Sequence, residues 1–282
     1  MKNSQRSQKI AFAFLLFCTL LIVVPVGLIV LEIIIKGMPA INWGFLTDMP
    51  RQGMRAGGIF PAIVGTLYLV TGAIIFALPV GVLAAIYLSE YAKDNLLTRV
   101  IKLAIVNLSG VPSVVYGLFG LALFVVFLKF GVSILSGSLT LGIMILPIII
   151  TTSREALESV PYSFREVSLS LGASKWQTIR HIVLPNAISG ILTGTILGLG
   201  RAAGETAPIL FTVAAFYLPR LPKSMFDQAM ALPYHLYVIS TQVPNVKENI
   251  RYGTALVLLA IVLFMNLVAI IIRSRFRSKK KW

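Results

Sequence analysis

The chain has 282 residues, 57% hydrophobic and 12% charged, with a formal net charge of +15 and a mean hydropathy of +0.88. Soluble domains carry about twice that charged fraction, so the composition excludes a soluble globular protein and predicts an all-α integral membrane protein. The positive charge does not point to nucleic acid, because the basic residues sit at the ends of apolar segments and no soluble basic domain exists to present a groove.

A spanning helix needs about 20 mostly apolar residues. Six runs qualify: roughly 10–36, 61–89, 100–128, 132–152, 187–212 and 252–272. The first is too long for a signal-peptide core and no small-residue cleavage site follows it, so it is expected to stay in the mature protein. Its single cysteine, Cys18, has no partner for a disulfide or a metal cluster and reads as a free buried thiol. The fourth run is the weakest, since it opens on Ser136-Gly137-Ser138 and is interrupted by Pro147. The fifth stays apolar to Leu218, so it is either one long helix or one that breaks at Gly194, Gly198, Gly200 or Gly204. Pro25, Pro79, Pro112 and Pro147 are expected to kink their helices.

Orientation follows from the basic residues. With both termini inside, the inner segments hold sixteen Lys and Arg, the outer segments eight, and Arg201 is the remaining one of 25. The positive-inside rule then predicts two cytoplasmic ends. Residues 1–56 form a cytoplasmic tip, the first span and an outer loop. Residues 57–272 form the core, with an inner loop at 153–186, and 273–282 is a basic tail that anchors the topology. The outer stretch 219–250, with Pro219, Pro222, Pro233 and Pro244, reads as short irregular pieces at the outer interface. Glu32 is expected only to reach that interface. His181 and His235 have no partner at metal-ligand spacing, and no nucleophile–base set stands out, so neither a metal nor a catalytic site is expected.

The inner loop is the more organised of the two long loops. Ser163 and Glu166 have the spacing of a capping box, as do Ser174 and Gln177. Gly172 between them suits a left-handed helix end. Two short helices joined by a tight turn are therefore predicted. Val167, Leu169 and Leu171 alternate with serines along the first, and Trp176, Ile179 and Ile182 give the second an apolar stripe.

The segment Arg201-Ala-Ala-Gly-Glu-Thr-Ala207 places two charges inside a very apolar stretch, where each costs ~2.5–3.5 kcal/mol on insertion scales. Four residues apart, Arg201 and Glu205 share a face of a continuous helix. A self-neutralising pair that tethers helices is the plainer reading. The functional one turns Arg201 to a central pathway, where its forked donors match an oxyanion such as phosphate. Glu205 then holds or releases it, and Thr206 adds a hydroxyl donor. Helix N–H groups freed by a break would add to the anion preference. Ser113 and Tyr116 fit either the pathway or helix packing. No G-x-x-x-x-G-K-[ST] phosphate loop occurs, so ATP is not bound here by that motif.

Glu166-Val167-Ser168, then Gly172-Ala173 and, with nine residues between the glycine and the isoleucine, Ile182-x-Leu184-Pro185, resembles the EAA loop of ABC importer permeases, with valine and serine in place of the two alanines. Arg201–Ala207 is similar to the corresponding segment of phosphate ABC importer permeases. So are Gly57-Gly58-Ile59, Pro61-Ala62-Ile63, Gly65-Thr66, the run Pro79–Leu88 and the run Pro112–Phe119. The stretch Ala231–Tyr237 leans towards the PstA type rather than the PstC type. The resemblance implies a type I ABC importer permease fold with six transmembrane helices in a bacterial inner membrane. It implies a coupling helix carrying Glu166, Ser168, Leu171, Gly172, Ala173, Ile182, Leu184 and Pro185. The implied partners are a PstC-type permease, two ATP-binding subunits that hold ATP and Mg, an extracytoplasmic phosphate-binding protein and inorganic phosphate. Arginine chemistry alone leaves sulfate or molybdate open as cargo, and the intramembrane charges alone also fit a stand-alone ion-coupled transporter.

Overall fold

The computed structural model describes residues 2–277; Lys279, Lys280 and Lys281 of the expected anchor lie outside the described residues. Among these, five helices are long and apolar enough to cross a membrane, and a sharply bent pair makes a sixth. The first, α1 (Lys2–Gly37), runs through Pro25 and is almost wholly exposed, Cys18 being only half-covered. Its far end leans on the last helix, where a Cβ on Gly37 would come within 2.7 Å of the Tyr252 carbonyl. Glu32 does more than reach an interface. It pairs with Lys36 at 2.9 Å and accepts from the Tyr252 hydroxyl at 3.2 Å, while Lys36 also binds Glu248 at 3.0 Å.

A short helix, α2 (Trp43–Thr47), follows, capped by the Asn42 side chain. A two-stranded hairpin then pairs β1 (Pro50–Arg51) with β2 (Ala56–Gly57). The second span is α3 (Phe60–Ile86), which passes through Pro79 and ends in a widened π turn, Tyr87–Tyr91.

The third expected span is broken. α4 (Leu96–Ser109) and α5 (Ser113–Gly120, continued by a π turn to Phe127) meet at 104°. Pro112 lacks an N–H and disfavours helical geometry at Val111, so the chain leaves the helix instead of kinking within it.

The fourth span, α6 (Ile134–Glu158), lies at the centre, with two-thirds of its most apolar stretch buried, against none of the corresponding stretch of α1. Its polar opening is an asset rather than a weakness. Ser136 and Ser138 are buried, and Ser138 sits against Gly72 of α3, so small side chains let the two helices approach. Ser133 caps the helix, and the N–H groups of Ser133, Ile134 and Leu135 donate to the carbonyls of Thr212, Asp227 and Met225.

Two short helices follow, α7 (Tyr162–Ser170) and α8 (Lys175–Thr178); the latter flows through a π turn, Ile179–Val183, into α9 (Leu184–Gly204). The expected inner loop 153–186 is therefore shorter: its first residues belong to α6 and its last to the fifth span.

After α10 (Ala207–Thr212), the middle of the stretch expected at the outer interface is instead core, while most of its two ends is exposed. Residues 229–235 are buried throughout, Ala229 bridges Ala214, and the Leu232 N–H donates to Thr66 Oγ1 at 2.8 Å. Gly65 makes this possible, since any Cβ there would run into the Met230 carbonyl. α11 (Leu232–Thr241) and α12 (Glu248–Arg277) complete the chain.

Candidate functional site

The intramembrane charges lie where α9 stops. A helix continued through Pro208 would lose that residue's N–H and press its ring on the Gly204 carbonyl. Accordingly α9 ends at Gly204, Glu205 is extended (φ −78°, ψ 134°) and α10 starts at Ala207. The break comes at the last of the four suspected glycines, and the spacing of Gly204 and Pro208 was the sequence signal for it.

Arg201 lies in the last turn of α9. It shares the open face of that helix with Leu197 and Gly204, both exposed, while Ala202 and Ala203 turn into the core. Its Nε is 3.5 Å from Glu205 Oε1, longer than the usual N–H···O bond, and the two side chains keep 29% and 19% of their exposure. Thr206 is half-buried at the same bend. The pair therefore meets across a helix end instead of along a continuous helix face. It is loose and partly open, and a guanidinium so held can exchange its carboxylate for another oxyanion.

Neighbouring elements close around the bend. Glu205 borders the seam where α3, α6 and the buried 229–233 stretch converge, with Thr66, Leu141, Ala231 and Pro233 alongside it. Tyr116 of α5 is near enough to feel the Arg201 charge, and its hydroxyl donates to the Leu108 carbonyl at 2.7 Å. A Cβ on Gly117 would sit 3.0 Å from both the Ala207 carbonyl oxygen and Pro208 Cα, so the two broken spans pack side by side at their breaks. The start of α10 adds little anion attraction, since the helix has six residues and Pro208 removes one donor.

The α7–α8 turn is a second organised region. Gly172 has φ +85°, with open space where a Cβ would go, so glycine serves conformation there, not packing. The Gly172 N–H donates to the Leu169 carbonyl and the Ala173 N–H to the Ser168 carbonyl, the two bonds of a Schellman motif. The Ser174–Gln177 capping box is present. The Ser163–Glu166 box is not: Pro161 takes the N-cap position of α7, which puts Ser163 inside the first turn, beyond the extended geometry a cap requires.

The motif residues divide by role. Ser168 is buried and shares a 2.8 Å hydrogen bond with Thr178, while Ala173, Ile182 and Leu184 are half-covered. Glu166, Leu171 and Pro185 are exposed, Leu171 at 83%, beside exposed Tyr162, Val167, Leu169 and Trp176. The expected stripe is split, because Ile179 is buried and Trp176 is not.

One pair escapes sequence spacing altogether. Arg165 Nη2 lies 2.7 Å from Glu90 Oε1 at the end of α3, and Nε reaches both Glu90 oxygens at 3.2 and 3.3 Å. Nη1 and Nη2 also donate to the Val160 and Leu157 carbonyls at 2.8 and 2.9 Å. The side chains of Arg165 and Glu90 are 11% and 8% exposed. The available signal was a lone glutamate at the end of an apolar run.

His235 is 3% exposed, and burial pushes its imidazole down to about 4, so it is neutral at physiological pH. Among the described residues no group of three or more His, Cys, Asp or Glu could hold a metal.

Residues 77–282 match the family described as "Binding-protein-dependent transport system inner membrane component". The chain is similar to the probable ABC transporter permease protein YqgI of Bacillus subtilis (strain 168), 32% identical over 281 residues and 95% of each chain. It is similar to the phosphate transport system permease protein PstA 2 of Mycobacterium bovis, 32% identical, covering 94% of this chain and 86% of that one. PstA of Xylella fastidiosa (strain Temecula1) is 34% identical, with 84% and 82% covered. In fold the chain is similar to a bacterial alginate ABC transporter solved in complex with an alginate pentasaccharide-bound periplasmic protein (TM-score 0.66, 15% identity, 95% and 94% covered). It is also similar to the MetNI methionine ABC transporter in inward-facing conformations (TM-score 0.60, 16% identity, 78% and 94% covered).

Proposed function

The chain belongs to the family of binding-protein-dependent transport system inner membrane components, and on that premise we propose that it is one permease subunit of an ATP-driven phosphate importer. It is a multi-pass membrane protein with the type I ABC importer permease fold. Such a subunit does no covalent chemistry of its own.

The observation that carries the phosphate reading is the Arg201–Glu205 pair, set at a helix break on the uncovered face of α9 in a chain related to phosphate permeases. In this proposal a phosphate-binding protein outside the cell membrane delivers its anion to an outward-facing cavity shared with a PstC-type permease. Arg201 takes the anion in a forked contact that replaces the loose one to Glu205, and Thr206 adds a hydroxyl. The exposed Glu166, Leu171, Val167 and Trp176 dock one of two ATPase subunits, which hold ATP and Mg. Closure of those subunits pushes the α7–α8 turn, and the cavity reopens inward. The basic residues favour cytoplasmic termini, with the α7–α8 turn on that side.

Membership of a family of multi-component transport systems argues against a stand-alone ion-coupled transporter. The cargo is tested by ATP-dependent uptake of labelled phosphate into vesicles holding the assembled complex, with sulfate, molybdate and arsenate as competitors. Uptake displaced by arsenate but not by sulfate or molybdate is expected. Equal displacement by sulfate or molybdate would overturn the phosphate assignment and leave an importer of another oxyanion.

A further inference from the structure

We infer that the buried Glu90–Arg165 pair is a strut that makes the α7–α8 turn and the inner ends of α3 and α6 move as one body, so that both residues are positioning residues for transport. The inference rests on the proposal that this turn docks the ATPase.

The geometry supports it in three ways. First, a single guanidinium joins three elements: it is carried by α7, clasps the Glu90 carboxylate at the end of α3, and caps the carbonyls of Leu157 and Val160 at the end of α6. Secondly, α7 has two faces. Tyr162, Glu166 and Val167 are exposed, whereas Arg165 and Ser168, three residues apart, turn inward. The residue next to the expected docking glutamate is therefore the one fastened to the membrane core. Thirdly, further contacts brace the joint. Ser168 bonds Thr178, and the Lys175 ammonium lies 4.8 Å from the centroid of the Tyr91 ring in the π turn that carries Glu90. From there α3 runs unbroken to Thr66, which holds the buried 229–233 stretch beside Glu205.

Stability alone does not call for this arrangement, because apolar side chains of similar volume often stabilise as well as a buried ion pair. A bidentate guanidinium–carboxylate contact differs from apolar packing in being directional. It resists sliding and separation alike, as a joint that transmits a push must.

The assembled transporter is reconstituted in three forms: wild type, Glu90→Gln, and the double apolar replacement Glu90→Leu/Arg165→Met. Phosphate moved per ATP hydrolysed is measured for each. In a Cys18→Ser background, spin labels at Ser163→Cys and Tyr87→Cys report the distance between α7 and the π turn that ends α3, with and without trapped ATP. The wild type is expected to keep one narrow distance in both states. The double variant is expected to assemble and hydrolyse ATP, to move roughly tenfold less phosphate per ATP or lower, and to show a broadened distance. Glu90→Gln, which risks misfolding, is read only if it co-purifies with the ATPase, and is then expected to uncouple likewise. Wild-type coupling and an unchanged distance in the double variant would overturn the inference, as would a wild-type distance that changes with nucleotide. If the wild type moves no phosphate, the cargo reading fails, while the label distances still decide the strut.

Discussion

The Glu90–Arg165 and Arg201–Glu205 pairs join the same two side-chain types under opposite conditions. The first joins residues 75 apart in sequence at 2.7 Å, with two carbonyls completing the guanidinium's bonds and about a tenth of each side chain exposed. The second joins residues four apart at 3.5 Å, on a face the chain's own core leaves open. Arg201 lies at the far end of α9, whose rise from Leu184 to Arg201 is about 25 Å. Burial and bond count, not residue identity, make one arginine a fastener and leave the other free to trade partners. A guanidinium whose N–H donors are nearly all bonded inside the protein has little left for a ligand. A charge held by one long contact keeps most of its donors.

The largest expected difference is in stability. Arg165→Gln leaves Glu90 buried without its counter-ion and removes a donor from the Val160 and Leu157 carbonyls, and is expected to lower stability by about 3–5 kcal/mol. Arg201→Gln, at a less buried pair held by one long contact, is expected to cost less, about 1–2 kcal/mol. Thermal unfolding in detergent measures both, and equal losses would break the comparison. The turn beside the sealed pair gives the next effect. Gly172→Ala forces an L-residue into left-handed geometry, at about 1–2 kcal/mol, and is expected to lower the melting temperature and weaken ATPase co-purification. Unchanged co-purification would detach the turn from docking. The smallest is Ser174→Ala, which removes a capping box at about 1 kcal/mol, read as a modest drop in melting temperature with uptake retained.

Features set by neighbours in sequence were legible beforehand. The spans follow from apolar runs, and the left-handed turn from Gly172 in its interval between the helices. Legibility failed where distant chain segments decide the outcome. Residues 229–235 lie in a stretch whose prolines read as a surface loop, yet they are buried because Gly65, far away in sequence, offers no side chain against them. Arg165 looked like one more basic residue of an inner loop, because nothing local reveals a carboxylate waiting on α3. The break in the third span is hidden for a different reason: Pro112 can kink a helix or end it, and the packing of Gly117 against Ala207 and Pro208 favours the bend. At the candidate anion site the residues are legible, whereas the helix end between them is set by Pro208 acting on the Gly204 carbonyl and not by the glycines alone.

The central claim is that Arg201 is there for a travelling anion. It is tested most directly by ATP-dependent phosphate uptake in vesicles containing the complex assembled with Arg201→Gln, beside the wild type. Losing a charged hydrogen-bonding partner of about 3 kcal/mol corresponds to roughly a hundredfold fall in uptake, with the complex still assembled and docked to its ATPase. Uptake at the wild-type rate by that variant would contradict the account and leave the arginine a tether between helices.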